Sequence, residues 1–212
     1  MYRIIDDSEV LLIRKQTRIQ FGEGKAVIGI VLMTNPGSFK CENTEEWQLF
    51  QAGEGLNDHY EGENFPDMTM QCVIEVIRKG YKRAGRTPNG QVYIYNLSNA
   101  VQSKGDKGEH QHERLKTLIT KQGLDLALLE DPVTHDFATF YEYAHSLDFL
   151  MMGFVNHVFV ERIAQVKKWA EQVEQLVVSE DNRMNFSHPR RWRTDLLLKE
   201  KAIQRMSEVL GK

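Results

Sequence analysis

Apolar residues concentrate in short runs along this chain, and the pattern within each run predicts β-strands. Residues 13–21 alternate apolar or β-branched side chains with polar ones, a period of two that is typical of a half-exposed edge strand. Residues 26–33 are almost continuously apolar, as in a strand covered on both faces. Three further buried strands are predicted at residues 91–97, 148–152 and 174–178.

Helical patterns separate these strands. Asp67 is a suitable N-cap for a helix that carries apolar residues at helical spacing and ends near Gly85. Residues 109–146 are predicted to be mostly helical, and further helices are predicted over residues 156–172 and 194–210. Strands that alternate with helices form right-handed crossovers. The predicted fold is therefore α/β, a three-layer sandwich with a central, mainly parallel four-stranded sheet, helices on both faces and an N-terminal edge strand.

The composition is that of a globular protein. The chain has 212 residues, of which 41% are hydrophobic and 27% charged, and we expect one domain over residues 1–212. No apolar run approaches the roughly 18 residues that cross a bilayer, and the first residues lack the pattern of a secretory signal. Cys41 and Cys72 are too few for a disulfide framework. We therefore expect free thiols in a reducing cytoplasm and no membrane partner.

Charge is distributed unevenly, although the formal net charge is only −3. Residues 41–67 contain eight acidic residues and no Lys or Arg, whereas residues 76–105 contain six basic residues and no acidic one. A second basic group near the end of the chain comprises Arg183, Arg190, Arg191 and Arg193. Such patches are either solvated surface or sites that bind a few phosphates, and the sequence leaves both interpretations open.

Polar residues follow the buried strands at the positions where parallel sheets bind ligands. Those ligands lie beyond the carboxyl ends of the strands, which here carry Asn35-Pro36-Gly37-Ser38, Asn96, Gly153 and His188. Each segment taken alone has an ordinary structural interpretation, as a turn, a local hydrogen-bond partner or a loop histidine. The functional interpretation is an amide that positions a water, an amide that pairs with a base edge, and a donor to developing negative charge.

The segments that carry these residues resemble the motifs of the uracil-DNA glycosylase superfamily, in the superfamily's order. GIVLMTNPGS resembles the first motif in its Asn-Pro-Gly form, and VYIYNLSNAVQS resembles the strand that ends in the base-reading Asn. DFLMMGF, QLVV and SHPRRW resemble the closing strand, Gly, helix, strand and His-Pro loop, so the likeness extends over roughly residues 25–210. A closer resemblance is to the bacterial domain-of-unknown-function family 1643, which has no established activity. That family shares an Asp-X-Thr pattern (here residues 67–69), an Asn-Leu strand end and a late His-Pro.

The resemblance implies a fold like that of the uracil-DNA glycosylases and a hydrolase that needs neither metal nor cofactor. Its substrate would be a modified or deaminated base in DNA. The acidic residues 41–67 would lie near the cleft and repel a phosphate backbone, which fits a base, a nucleoside or another small ligand better. Asn35 would hold the water that attacks the sugar, Asn96 would pair with the flipped base, and His188 would stabilise charge on the departing base. Gly37 and Ser38, which follow Asn35 in the first motif, would contact the ligand.

The same resemblance implies aromatic and cationic contacts. Phe65 is the first candidate for a ring that stacks on the base, and Phe39 is the second. Trp192 stands four residues after the histidine, where it would either wedge into the base stack of a duplex or anchor the last helix in the core. The loop reads His-Pro-Arg-Arg and not His-Pro-Ser, so Arg190 or Arg191 would replace a phosphate-binding hydroxyl.

Other polar groups have a simpler interpretation. Residues 109–113, Glu-His-Gln-His-Glu, contain two imidazoles suited to a metal, but an exposed helix start explains them without a third ligand. Asp131, His135 and Asp136 are expected to be helix caps and surface residues. Two alternative functions stay open at this level. One is a non-catalytic module that binds a nucleotide or nucleic acid, and the other is an interaction protein whose acidic residues 41–67 dock a basic partner.

Overall fold

A five-stranded sheet forms the centre of the computed structural model, which describes residues 1–7, 9–37, 44–55, 57–102, 104 and 107–212. A hairpin of β1 (Tyr2–Asp6) and β2 (Glu9–Ile13) precedes the sheet. The sheet itself contains β3 (Thr17–Phe21), β4 (Val27–Met33), β5 (Gly90–Asn96), β6 (Phe149–Met152) and β7 (Leu176–Val177). Its order is β3-β5-β4-β6-β7, with β3 antiparallel to β5 and every other pair of neighbours parallel.

The edge strand predicted over residues 13–21 is divided between two strands in the structure. Ile13 ends β2, and Gln16 adopts a φ of 58°, a left-handed conformation that interrupts an extended chain. The break allows β2 to pair with β1 while β3 pairs with β5, where Thr17 lies opposite Ile94. The alternation fails at this break, where Arg14, Lys15 and Gln16 are three consecutive polar residues, and the prediction of one continuous strand overlooked it.

Helices cover both faces of the sheet. The described residues contain α1 (Glu45–Gln51), α2 (Met68–Arg83), α3 (Gly108–Lys121), α4 (Phe137–His145), α5 (Val160–Ala170) and α6 (Leu196–Leu210). Val31 and Met33 of β4 belong to the core formed with α2 and α6, whereas Ile30 and Leu32 belong to the core formed with α4 and α5. Because successive side chains of a strand point to opposite faces, β4 must be apolar at nearly every position.

Two helices pack outside these layers, against the hairpin. Leu115 and Ile119 of α3 share a core cluster with Ile4 and Leu11. The aromatic residues of α1 pack in a smaller cluster with Met1 and the half-buried Leu12, Tyr60 and Val101. The hairpin and α1 therefore lie beside the chain that follows β5.

Most elements of the core agree with the sequence predictions. The buried strands expected at residues 26–33, 91–97 and 148–152 are β4, β5 and β6, and β7 is shorter than expected. Asp67 caps α2 as predicted, because its carboxylate accepts a hydrogen bond of 2.9 Å from the backbone N–H of Met70. No helix in the described part of the chain is long and apolar enough to cross a membrane.

Candidate functional site

The backbone brings Asn35, Asn96 and His188 to the same edge of the sheet. The N–H groups that follow Asn96 donate to the carbonyls of Met33 and Thr34, over 2.9 and 3.1 Å, which aligns the ends of β5 and β4. Beyond β6, Phe154 forms a parallel bridge with Ser187, the residue before His188. All three predicted residues therefore lie at the carboxyl edge, where parallel sheets bind ligands.

Gly153 allows the histidine loop to pack tightly against the end of β6. A Cβ at this position would lie 2.6 Å from the carbonyl oxygen of Ser187 and 2.9 Å from Cδ of Pro189. Its Cβ would also be 3.5 Å from Cα of His188. Any larger residue would push the loop away, so the glycine helps to set the position of the histidine.

His188 is held as a neutral hydrogen-bond donor. It is the N-cap of a short 3₁₀ segment, Pro189–Arg193, and its Nδ1 accepts a hydrogen bond of 3.3 Å from the backbone N–H of Arg190. Burial lowers the pKa of His188 to about 4, although the carboxylate of Asp67 acts in the opposite direction. At neutral pH the imidazole is therefore uncharged, and its proton resides on Nε2 because Nδ1 acts as the acceptor.

The amide of Asn35 is oriented by two backbone carbonyls. Its Nδ2 donates to the carbonyl of Pro36 over 3.1 Å and to the carbonyl of Gln102 over 3.0 Å. Both donor positions are occupied, so Oδ1 remains the acceptor that Asn35 can offer to a ligand or a water. Gly108, at the start of α3, lies beside this oxygen, and a Cβ built on it would be 3.5 Å from Oδ1, an ordinary contact distance.

Asn96 is buried at the end of β5 with an unpaired acceptor. Its side-chain Oδ1 has no hydrogen-bond partner among the described residues, and only 2% of the residue is exposed. Its backbone N–H donates to Oδ2 of Asp131 over 3.2 Å. Asn96 is in register with Met33, so its side chain points to the face covered by α2. A buried acceptor left unpaired costs about 1–3 kcal/mol, which a bound donor would recover.

A cavity of about 1160 Å³ opens beside the histidine loop. Its walls come from the loop after β6, from residues 181–185, from the histidine loop and from the start of α6. His188 lines this cavity, whereas Asn35 and Asn96 do not. The three residues lie at one edge of the sheet, but this cavity does not bear out the prediction that their side chains line one pocket.

Cationic side chains dominate the cavity wall. Arg183, Arg190, Arg191, Arg193 and Lys201 line the cavity, together with the acidic residues Asp181 and Asp195. Both acids have partners within the protein: Asp181 pairs with Arg191 over 2.9 Å, and Asp195 caps α6 by accepting from the backbone N–H of Leu198. The cavity therefore presents positive charge to a ligand, and Arg190 lies in it as the sequence suggested.

The residues predicted to stack on a base have different outcomes. Phe65 is 83% exposed just before α2, so its ring is accessible to a ligand and is not part of the core. Gly37 has open space where a Cβ would stand, with no atom within 4 Å among the described residues. Ser38 and Phe39 lie outside the described residues, and their predicted roles stay predictions.

The structure corrects the prediction that Trp192 is a wedge for duplex DNA. Its side chain is 0% exposed and belongs to the core cluster between α2, α6 and the sheet. Its indole N–H donates to Oγ of Ser187 over 2.8 Å. A ring in this position cannot enter a base stack without leaving the core, so Trp192 is the anchor for the last helix. Arg191, in contrast, lines the cavity and pairs there with Asp181.

The exposed helix start predicted over residues 109–113 is confirmed for Glu109, His110 and Glu113, whereas His112 belongs to a buried polar cluster. His112 is 3% exposed, and its Nε2 donates to Glu130 over 3.2 Å while its Nδ1 and the hydroxyl of Ser98 share a hydrogen bond of 2.9 Å. Glu130 also contacts His135 and Arg162, each at 3.1 Å. The hydrogen bond from His112, together with the nearby side chains of Arg162 and His135, lowers the pKa of Glu130 to about 2.

Asp131 is also buried, which corrects its expected surface position. Only 1% of it is exposed, and it accepts hydrogen bonds from the backbone of Asn96 and from the side chain of Asn99. Burial raises its pKa. The sequence contains one hint of this cluster, because His112 shares the apolar face of α3 with Leu115 and Ile119.

Metal and thiol groups add little to the site. In the described ranges, no group of three or more His, Cys, Asp and Glu side chains is arranged to hold a metal ion. Cys72 is a buried free thiol whose pKa is raised by burial, and Cys41 lies outside the described residues.

In comparisons with known proteins, no family model, no curated protein and no solved structure matches this chain.

Proposed function

We propose that this protein hydrolyses the N-glycosidic bond of a deaminated or modified nucleobase at the carboxyl edge of its sheet, on a fold like that of the uracil-DNA glycosylases. The observation that carries the proposal is His188, a neutral imidazole with its proton on Nε2 beside a positively charged cavity. The two amides at the same edge, Asn35 and Asn96, supply the other groups that the reaction requires. The sequence motifs described above support the same reaction.

His188 is suited to stabilise the negative charge that develops on the leaving base. When the C1′–N bond breaks, the electron pair departs with the base, and negative charge spreads onto its carbonyl oxygen. A donor that is already in place stabilises this charge without reorganisation. A neutral imidazole donates a hydrogen bond from Nε2 and keeps its proton, in the manner of neutral electrophilic histidines in other enzymes. The base nitrogen is protonated afterwards by water.

Asn35 is suited to position the water that acts as the nucleophile. A water whose hydrogen is accepted by Oδ1 of Asn35 would have its oxygen directed at C1′. That oxygen forms the new C–O bond as the C–N bond breaks, and the water's second proton is released to solvent. The amide cannot rotate freely, because its Nδ2 is held by the carbonyls of Pro36 and Gln102. Such fixed positioning accelerates a reaction by removing orientational freedom before the chemical step.

Asn96 suits the recognition of a deaminated base. Its unpaired Oδ1 requires a donor, and the imide N–H of uracil or the N1–H of hypoxanthine is such a donor. The amide N–H₂ can donate to the carbonyl next to that group. Cytosine and adenine lack the ring N–H, so Oδ1 would face a ring nitrogen that is itself an acceptor as long as the amide keeps its orientation, which favours the deaminated base.

The test is an assay of free-base release. Purified protein would be incubated with oligonucleotides and mononucleotides that carry uracil, hypoxanthine or an alkylated base, and released base would be measured by chromatography. We expect Asn35→Ala to reduce release about 10²-fold with little change in binding, because positioning of the water acts mainly in the transition state. We expect His188→Ala to cost about 2.7–4 kcal/mol of transition-state stabilisation.

Two further variants complete the experiment. Asn96→Asp is expected to change which base is accepted, because a carboxylate only accepts hydrogen bonds whereas an amide also donates them. Arg18→Ala is the control, because Arg18 is exposed on β3 and lies outside the cavity and the three proposed groups. If the wild type releases no base but Asn96 and His188 variants lose nucleotide binding, the protein is the non-catalytic module.

A further inference from the structure

The two ends of the carboxyl edge differ in charge. At the end near β6 and β7 lies the cavity lined by Arg183, Arg190, Arg193 and Lys201, whose acidic residues are already paired or used as caps. These cations come from three separate segments: residues 181–185, the histidine loop and α6. Their convergence on one concave surface is typical of a site that binds phosphate.

The opposite end of the edge is acidic. The chain that follows β5 pairs with the hairpin, since the N–H of Val101 donates to the carbonyl of Leu12 over 2.9 Å and Ala100 forms a bridge with Ile13. The segment that contains α1 packs on Leu12 and Val101. This segment exposes the acidic residues Glu45, Glu46, Glu54, Asp58, Glu61 and Glu63, of which Asp58 pairs with Arg3. The chain after β5 also exposes two basic residues, Lys104 and Lys107. Asn96 and Asn35 thus lie between a basic end and an end where the exposed acidic side chains outnumber the basic ones among the described residues.

This arrangement fits a ligand with phosphate at one end only. A nucleic-acid backbone that followed the whole edge would place phosphates against the acidic end, where like charges repel. A single nucleotide has no such extension. The volume of about 1160 Å³ is at the upper limit of pockets that enclose small ligands, so it accommodates a phosphate group with its sugar.

We infer that the substrate is a free nucleoside phosphate, with its phosphate in the arginine-lined cavity and its base at Asn96. This inference rests on the proposed function and names its substrate class. The products are the free base and a sugar phosphate, since water adds to C1′ and the base leaves with the electron pair of the broken bond. His188 lines the phosphate cavity and lies at the same edge as Asn96, so the bound ligand would extend along this edge from the cavity towards Asn96.

The test measures binding to the full chain by isothermal titration calorimetry. The probes are 2′-deoxyuridine, 2′-deoxyuridine 5′-monophosphate and a single-stranded oligonucleotide with one internal deoxyuridine, and the same three with hypoxanthine. We expect the monophosphate to bind at least tenfold more tightly than the nucleoside and more tightly than the oligonucleotide. Inorganic pyrophosphate is expected to compete with the monophosphate and not with the nucleoside.

Variants assign the phosphate to the cavity. Arg183→Ala and Arg190→Ala should each weaken binding of the monophosphate by three- to tenfold and leave the affinity for the nucleoside unchanged. Arg18→Ala is the matched control, because Arg18 is an exposed arginine on β3, at the opposite edge of the sheet from β7. Equal affinity for nucleoside and monophosphate, or an equal loss in all three variants, would overturn the inference.

The base-release assay separates this inference from the proposed function. Release from the oligonucleotide alone would overturn the nucleoside phosphate as substrate and leave glycosidic hydrolysis intact. Arginine-dependent binding of the monophosphate without release from any probe would refute hydrolysis and support the nucleoside phosphate site. If none of the probes binds, the inference is wrong.

Discussion

The protonation state of His188 can be measured directly, and it tests the central element of the site. Burial lowers its pKa to about 4 from an ordinary value of 6.5, a difference of about 2.5 pH units. Each unit of pKa difference corresponds to about 1.36 kcal/mol of free energy between the protonated and neutral forms. Protonation of His188 in the folded protein is thus disfavoured by at most about 3 kcal/mol relative to the unfolded chain.

This difference predicts how stability depends on pH. Between pH 6.5 and 4 the unfolded chain binds a proton at His188 and the folded protein does not, so the free energy of unfolding falls as the pH is lowered through this range. Above pH 6.5 both states are neutral and this contribution is absent. His188→Gln removes the titrating group and should remove up to about 3 kcal/mol of the loss between pH 6.5 and 4.

Two measurements check the prediction. NMR of ¹⁵N-labelled imidazoles should show a pKa near 4 for His188 and the tautomer with its proton on Nε2. Urea unfolding at a series of pH values should show the difference between wild type and His188→Gln, whereas Asn182→Ala, a non-titrating residue of the same cavity, should follow the wild type. A pKa at or above 6.5, or a proton on Nδ1 at neutral pH, would refute the neutral Nε2 donor.

Three further predictions concern stability, and each is checked by chemical denaturation. Glu130→Gln should destabilise the protein by at most about 3 kcal/mol at pH 7. Because the pKa of Glu130 is lowered to about 2, this difference should shrink as the pH falls below 4.5, and an unchanged difference there would contradict the ion-pair account. Trp192→Ala should cost about 3–5 kcal/mol as a core truncation. A variant as stable as the wild type would contradict the burial of the indole in the core. Gly153→Ala should cost about 1–3 kcal/mol through its clash with Ser187 and should slow base release. A variant with wild-type stability and wild-type base release would contradict this prediction.

The local pattern of the sequence was sufficient to predict most of the core. β4 and β5 are recognisable because a strand buried on both faces, or nearly so, needs apolar side chains at almost every position. The start of α2 is recognisable because Asp67 supplies the acceptor that the first N–H groups of a helix lack. The carboxyl-edge rule then selected Asn35, Asn96 and His188 from the sequence, since each follows a strand of the same parallel sheet.

The sequence could not determine which side chains are buried. Trp192 was equally compatible with a wedge and a core anchor, and only the packing of α2 and α6 around it decides for the core. His112 and Asp131 resemble surface residues in the sequence because their partners, Glu130 and Asn96, belong to other elements. The cost of burying a polar group depends on whether a distant segment supplies its hydrogen bond, and that is a property of the tertiary structure.

Local sequence thus determined the type and order of the elements and the edge at which the polar residues converge, because periodicity, capping and strand polarity are properties of neighbouring residues. Tertiary structure decided the pKa of His188, the orientation of the Asn35 amide, the unpaired oxygen of Asn96 and the contrast between the basic and acidic ends of the edge. Desolvation and hydrogen bonding depend on atoms brought together from segments far apart in the chain, and no local pattern records which segments meet.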